Sequence, residues 1–279
     1  MKKHDRGTVH VGVDATAMAA ELVAHLARPL ADAFDRPLVV TSGPAVDRWL
    51  SQAIATASPE GICAGVQFET VPRLEALLLG DEREGDPWAP QALVFRILDL
   101  VRARTPGLEP LERTMSQSDD SWLNALRVAR LLHSYATHRP GMTDAWLAAS
   151  DVEALGLGFD SWQPHLWRAL HEVIGRPDPG QRVAALAWRL RSGKVRLPWP
   201  NVSVFLPGRL TRPRAELLAA LAEQRPVTVW HLAPTGGVHP LATRLAGQAR
   251  DTLQLLADAG FDVSQRQEAR PGGSLLAAV

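Results

Sequence analysis

The chain has 279 residues, and Lys plus Arg and Asp plus Glu both total 30, so its formal net charge is zero. That balance excludes a globally basic nucleic-acid binder; any phosphate contact must come from local patches. A hydrophobic content of 46% excludes a largely disordered chain, and the length allows one large or two small domains with a substantial core. Lysine occurs only at positions 2, 3 and 194, so nearly all the positive charge is arginine, the residue suited to phosphate forks and to stacking on bases. Cys63 is the only cysteine, which excludes an intrachain disulfide and a cysteine-rich zinc site and fits a reducing cytoplasm. The basic start MKKHDRG leads into no long apolar segment, and no run approaches the ~20 residues a membrane span needs.

In chain order, residues 8–13 (TVHVGV) alternate as a strand, and Asp14 is the expected N-cap of a helix over 15–27 that Pro29 interrupts. A P-loop protein places its glycines and lysine at such a turn, but residues 12–16 read GVDAT, with no lysine and with a carboxylate that repels phosphate. Residues 37–50 (PLVVTSGPAVDRWL) predict a buried strand, a turn and a helix carrying Val46, Trp49, Leu50 and Ile54. Ser42, Gly43 and Arg48 fall where the crevice beyond a parallel strand meets phosphates; a plain strand-to-helix connection is the alternative. Residues 65–70 (GVQFET) predict a third strand and 72–79 a short helix opened by Pro72, so the strands pair in parallel. The acidic stretch 81–86 (DEREGD) is expected as a solvated loop.

Helical periodicity dominates from 90 to 194, with helices predicted over 91–104, 122–137, 143–149, 163–174 and 180–191 and a polar loop over 105–121. Asp119, Asp120 or Ser121 caps the helix after that loop. Pro140 stops that helix and leaves Arg139 at its end. Arg182 lies near the start of a helix entered through PDPG (177–180). Each arginine either meets phosphate or forms an ion pair or a contact with helix-end carbonyls. The tripeptide at 192–194 follows a helix and is expected as its glycine-capped end. Strands return at 202–206 and 227–232, with a further one at 261–264, and helices at 213–224 and 241–259. After the strand at 202–206, an active nucleotidase has an Asp-Glu pair for magnesium. Here the sequence turns through Leu206, Pro207 and Gly208, with Arg209, Arg212 and Arg214 following as either a solvated basic turn or a phosphate contact.

The fold expected is α/β: a parallel sheet from residues 1–89 and 196–279, interrupted by an all-helical insert over 90–195. The nine histidines form no metal-spaced cluster and no Ser-His-Asp or Cys-His arrangement; His165 and His171 are expected to be structural or surface residues, and Trp162, Trp167 and Trp188 core residues. The final stretch 271–279 (PGGSLLAAV) ends in a fresh apolar element, as a piece of a longer protein would.

The order of these features resembles the N-terminal part of the RecC (gamma) subunit of exodeoxyribonuclease V. The resemblance is carried by Val39-Val40-Thr41-Ser42-Gly43 with Arg48-Trp49-Leu50-Ser51, by Val66-Gln67-Phe68, by Tyr135 through Arg139-Pro140, by Trp162-Gln163-Pro164-His165-Leu166-Trp167-Arg168-Ala169-Leu170, and by Val204-Phe205 before Gly208. It implies a degenerate superfamily 1 helicase-like (P-loop-like) sheet subdomain, 1A-like, with the insert as a 1B-like subdomain. It also implies a subunit without a catalytic or metal site and without a cofactor of its own, with ATP and Mg2+ on the partner subunits RecB and RecD of a heterotrimer. Such a subunit channels the unwound strands and scans the 3′-ending strand for the Chi sequence in double-strand break repair. The residues matching the strand-reading surface are Ser42, Pro44, Arg48, Thr70, Arg130, His133, Arg139 and Arg182. The turn departs from the amide and hydroxyl side chains expected of a base reader, since Pro44 donates nothing and Arg48 carries charge. A scaffold without DNA contact and an unrelated α/β enzyme are the alternative readings.

Overall fold

The computed structural model describes residues 7–32, 34–80, 85–233 and 240–265. The basic start of the chain, the stretch 81–84 of the acidic segment and the apolar end 271–279 lie outside the described residues. The chain divides into two compact units: Met1–Gly80 with Leu186–Val279, and Asp81–Ala185.

Among the described residues the first unit is built on six strands: β1 (Thr8–Gly12), β2 (Leu38–Thr41), β3 (Gln67–Thr70), β4 (Val202–Phe205), β5 (Val227–Leu232) and β6 (Asp262–Gln265). Their order is β3-β2-β4-β5-β1-β6, and all neighbouring pairs are parallel. Parallel sheets covered on both faces need apolar residues at successive positions, and β2 and β4 are buried throughout. The helices of this unit are α1 (Ala15–Leu26), α2 (Pro44–Ala57), α3 (Val71–Leu79), α10 (Arg212–Ala222) and α11 (Pro240–Asp258). On one face Val39, Phe205 and Trp230 pack with Met18, Ala19 and Leu22 of α1 and Leu50 of α2. Side chains alternate along a strand, so the neighbour of Trp230 turns to the other face. His231 accordingly meets the carbonyl of Ala249 on α11 through Nε2 at 3.1 Å. On that side the Arg214 guanidinium pairs with Glu75 at 2.8 Å and ties α10 to α3.

The sequence signals for helix starts hold at atomic level. Asp14 accepts the Thr16 N–H at 2.8 Å and caps α1, which stops at Leu26, ahead of Pro29. Asp120, among the three capping candidates, accepts the Leu123 N–H at 2.8 Å.

The second unit is helical. It contains α4 (Pro90–Arg102), α5 (Glu109–Ser116), α6 (Ser121–His138), α7 (Pro140–Ala148) and α8 (Trp162–Ile174), and α9 (Pro179–Arg191) begins in it. Helix α5 is a correction to the loop expected over 105–121. Its polar sequence masks a two-residue apolar stripe, Leu111 and Met115, which is buried in the core of the unit. That core is centred on Trp88, Trp167, Ile97, Leu132, Leu166 and Leu170.

Candidate nucleic-acid interface

Within the sheet unit, the structure brings Ser42 and Thr70 side by side. Thr41 and Thr70 are register partners in β2 and β3, so the turn after β2 adjoins the point where β3 passes into α3. Thr70 is the N-cap of α3 and accepts the Arg73 N–H at 3.4 Å. Ser42, Pro44 and Arg48 lie around the first turns of α2, and all three are exposed.

The donors of this turn are largely committed within the protein. The Gly43 N–H bonds Thr41 Oγ1 at 3.2 Å, the Val46 and Asp47 N–H groups bond Gly43 O at 3.0 and 3.2 Å, and Pro44 has no N–H. Asp47 sits in the first turn of α2 and hydrogen-bonds the Thr41 hydroxyl, so a carboxylate already meets the positive end of the helix dipole. A phosphate meeting this edge has side chains to contact, the Ser42 hydroxyl and the Arg48 guanidinium, in place of an amide cradle.

The basic trio after β4 is mostly paired. Arg214 holds Glu75, Arg212 lies 3.9 Å from Asp258, and Arg209 is exposed. The turn carrying them is pinned by the buried Thr252 of α11, whose hydroxyl donates to Gly208 O at 3.3 Å.

In the helical unit His133 and Arg182 are linked through Trp88 and Asp86, while Arg139 stands at the α6–α7 joint on which the start of α9 packs. The Trp88 indole is 1% exposed. The Trp88 carbonyl accepts from His133 Nδ1 at 3.1 Å, its Nε1–H donates to Arg176 O at 3.0 Å, and its backbone N–H donates to Asp86 at 3.0 Å. Asp86 in turn holds the Arg182 guanidinium at 2.7 Å, with side chains 34% and 20% exposed respectively. Arg182 is thus engaged in an ion pair, and the acidic stretch 81–86, expected as solvated, ends in a structural carboxylate.

The joint between α6 and α7 is Arg139. Its carbonyl accepts from Met142 at 2.9 Å, and its side chain is exposed. Helix α9 packs on that joint: a Cβ added at Gly180 would lie 2.8 Å from Ala136 O and from the Pro140 Cβ. Asp178, 1% exposed, caps α9 by accepting from the Gly180 and Gln181 N–H groups at 2.8 and 3.1 Å. Its other oxygen lies 3.2 Å from His171 Nε2, an ion-pair distance, and the His171 ring stands 4.6 Å from the ring of Trp88. Burial and the neighbouring Asp178 charge push the Asp144 carboxyl above the usual range, opposed by a hydrogen bond from Gln181 and by His171.

Arg130 is exposed on α6, one turn before His133. Helix α6 has no acidic residue along its length, while Arg127, Arg130 and His138 are its further basic residues. Among the described residues no group of three or more His, Cys, Asp or Glu side chains is arranged to hold a metal ion, and no helix is long and apolar enough to cross a membrane.

Sequence reasoning singled out the arginines of this corner but missed Trp88, Asp86 and Asp178. The Asp86 to Arg182 pair spans 96 positions, beyond the reach of local periodicity. A usable signal for Asp178 existed in the PDPG turn, since Asp is a strong N-cap one residue before Pro at the first helical position.

The fold and this corner define a parallel α/β protein with an all-helical insert and an arginine-rich surface on that insert. Residues 8–238 match the family model for the RecC N-terminal domain, and the chain belongs to that family. It is 33% identical over 287 residues to the RecBCD enzyme subunit RecC of Mycobacterium tuberculosis, in strains CDC 1551 / Oshkosh and ATCC 25618 / H37Rv. It is 31% identical over 277 residues to the same subunit of Mycolicibacterium smegmatis. Each match covers 91% of this chain, but the chain spans about a quarter of those relatives, 26% and 24% of their lengths.

Proposed function

We propose that this chain is the part of a RecC subunit that holds and guides single-stranded DNA, without hydrolysing ATP, in the processing of double-strand DNA ends for repair and recombination. In this reading the sheet unit is a superfamily 1 helicase-like subdomain whose nucleotide site has decayed, and the helical unit is its 1B-like insert. RecB and RecD supply the helicase and nuclease chemistry in the cytoplasm, with their ATP and Mg2+, and the 3′-ending strand is scanned for a Chi-like sequence.

The observation that carries the proposal is the corner of the helical unit. There His133 and Arg182 are tied through Trp88 and Asp86, and Arg139 stands exposed at the end of an acid-free helix bearing Arg127 and Arg130. Exposed guanidinium groups on a rigid helix and at its end suit a phosphate backbone passing over them, and their planes can stack on bases. The turn after β2 contributes side chains of the same kind through Ser42 and Arg48.

The test is anisotropy of a labelled oligothymidine with this chain across a salt series, beside an Arg130→Ala, Arg139→Ala variant. Both residues are exposed, so the variant keeps the fold. Loss of two phosphate contacts from a single strand lowers the slope of log K against log salt by about 1.4. Equal slopes for both proteins would remove the corner from the strand path, and no binding at low salt would sink the proposal for this chain.

A further inference from the structure

A second basic surface lies at the opposite end of the strands, within the sheet unit. A cavity of about 1000 Å³ opens among the segments that enter β2, β4 and β5; its walls include Asp35, Arg196, Pro198, Pro200, Gln224 and Arg225. Charge, rigidity and an exposed tryptophan on the helix that leads into it set this surface apart.

The first is charge. From Pro179 to Ala215 the sequence has no acidic residue, while Arg189, Arg191, Lys194 and Arg196 follow one another at the end of α9 and in the segment leaving it. Arg191 is compensated by Glu223 at 3.3 Å, and Asp35 is the acid in the cavity wall. Arg189, Lys194, Arg196 and Arg225 remain exposed, so the surface is positive on a chain whose net charge is zero.

The second is rigidity. Arg225 donates to Trp199 O at 3.1 Å and to Gln224 O at 3.0 Å, Gln224 bonds the Leu190 carbonyl, and the Trp199 indole N–H is held by Gln67 at 2.8 Å. Pro198, Pro200 and Pro226 fix the remaining wall and offer no N–H for strand pairing. A surface ordered in advance loses little entropy when it binds.

The third is Trp188. Expected in the core, this tryptophan is 58% exposed, with Lys194 Nζ 4.4 Å from its ring centre. Large exposed aromatics beside arginines are the residues that anchor protein interfaces.

We propose that this proline-walled groove docks an acidic segment of a partner protein, with aliphatic side chains of that segment against Pro198, Pro200 and Pro226 and its carboxylates against Arg196 and the exposed Arg189 and Lys194 that precede it in the chain. The walls favour a peptide over a nucleic acid. Leu197, Pro198, Pro200 and Pro226 give a run of phosphates nothing to bond, Arg225 spends Nε and Nη1 on carbonyls and presents no fork, and Lys194 covers a face of Trp188 on which a base would stack.

The experiment measures anisotropy of a short labelled peptide alternating Glu with Ile, of its Gln-for-Glu counterpart, and of oligothymidine, against this chain and its Arg189→Glu, Arg196→Glu variant. Circular dichroism checks the fold of the variant, and a Trp188→Ala variant is measured beside it. The Glu peptide is expected to bind the unmodified chain about tenfold or more tightly than either the charge-reversed variant or the Gln peptide binds. Trp188→Ala should weaken the Glu peptide and leave oligothymidine unchanged. Equal binding of the Glu and Gln peptides would overturn the proposal, as would a charge-reversed variant that loses oligothymidine and keeps the peptide. Because Arg130 and Arg139 are untouched, failure here leaves the strand-guiding reading standing, and the converse also holds.

Discussion

Replacing Asp86 by Asn should weaken the fold and strengthen DNA binding, two effects that a purely structural ion pair would not combine. In the structure the Asp86 carboxylate lies 2.7 Å from the Arg182 guanidinium, with side chains 34% and 20% exposed. A charge-assisted hydrogen bond contributes about 1.5–3 kcal/mol when shielded and roughly 0.2–1 kcal/mol when exposed, so this partly exposed pair is expected to contribute about 1 kcal/mol. The amide oxygen of the substituted side chain would keep an acceptor for the Trp88 N–H, which limits the loss to the ion pair. The same substitution removes one anion that lies against Arg182. A phosphate approaching this corner must at present compete with Asp86, and in the variant that competitor is gone. One more phosphate contact on a single strand steepens the salt slope by about 0.7 and tightens binding about fivefold at low salt. The assay is oligothymidine anisotropy across a potassium chloride series, with a thermal melt of each protein. The gain should vanish in the Asp86→Asn, Arg182→Ala double variant. An unchanged affinity and slope in a folded, mildly destabilised Asp86→Asn protein would refute the reasoning and take Arg182 off the strand path.

Further outcomes follow from the same geometry. Trp88→Ala empties the centre of the helical core and removes the indole N–H bond to Arg176 O, at a cost of about 3–5 kcal/mol; hydrogen exchange should show early opening in residues 85–185. Gly180→Ala places a methyl against Ala136 O and Pro140, where backbone must yield; a loss of about 1–3 kcal/mol in chemical denaturation should accompany weaker strand binding through the displaced Arg139 joint. Burial holds the pKa of His231 below the ordinary histidine value, and burial, with Arg28 and His10, does the same for His25. Both rings stay neutral in the folded chain while the unfolded chain takes up protons below about pH 6.5, so stability falls as pH drops through that value. His231→Gln should flatten the melting temperature between about pH 7 and pH 5, and an unchanged profile would remove His231 as a source of the acid sensitivity.

Much of the architecture was legible before any coordinates. Valine-rich runs such as LVVT and VSVF signal strands covered on both sides, because an apolar residue at nearly every position leaves no polar side for solvent. Asp14 and the Asp119-Asp120-Ser121 run announced helix starts because a short side chain at the cap satisfies a free N–H locally, and Asp120 is the one that does so for α6. Helix α5 escaped because its buried stripe is only Leu111 and Met115, set among Glu, Arg, Thr and Ser, too little periodicity to separate a helix from a polar loop.

The sequence by itself determined which segments are strands and most of the helices, that they alternate so as to build a parallel sheet, and that a helical stretch interrupts it. These are consequences of side-chain period and capping, both properties of neighbours in the chain. Tertiary structure alone decided which charges are spent. Arg139 and Arg182 look alike in sequence, both at helix ends near proline, yet Arg139 projects into solvent while Arg182 is held by a carboxylate 96 positions away. Trp167 and Trp188 both sit on amphipathic helices, yet one is fully buried and the other stands exposed beneath a lysine. Exposure and pairing depend on what the rest of the chain brings alongside, and no window of neighbouring residues contains that information.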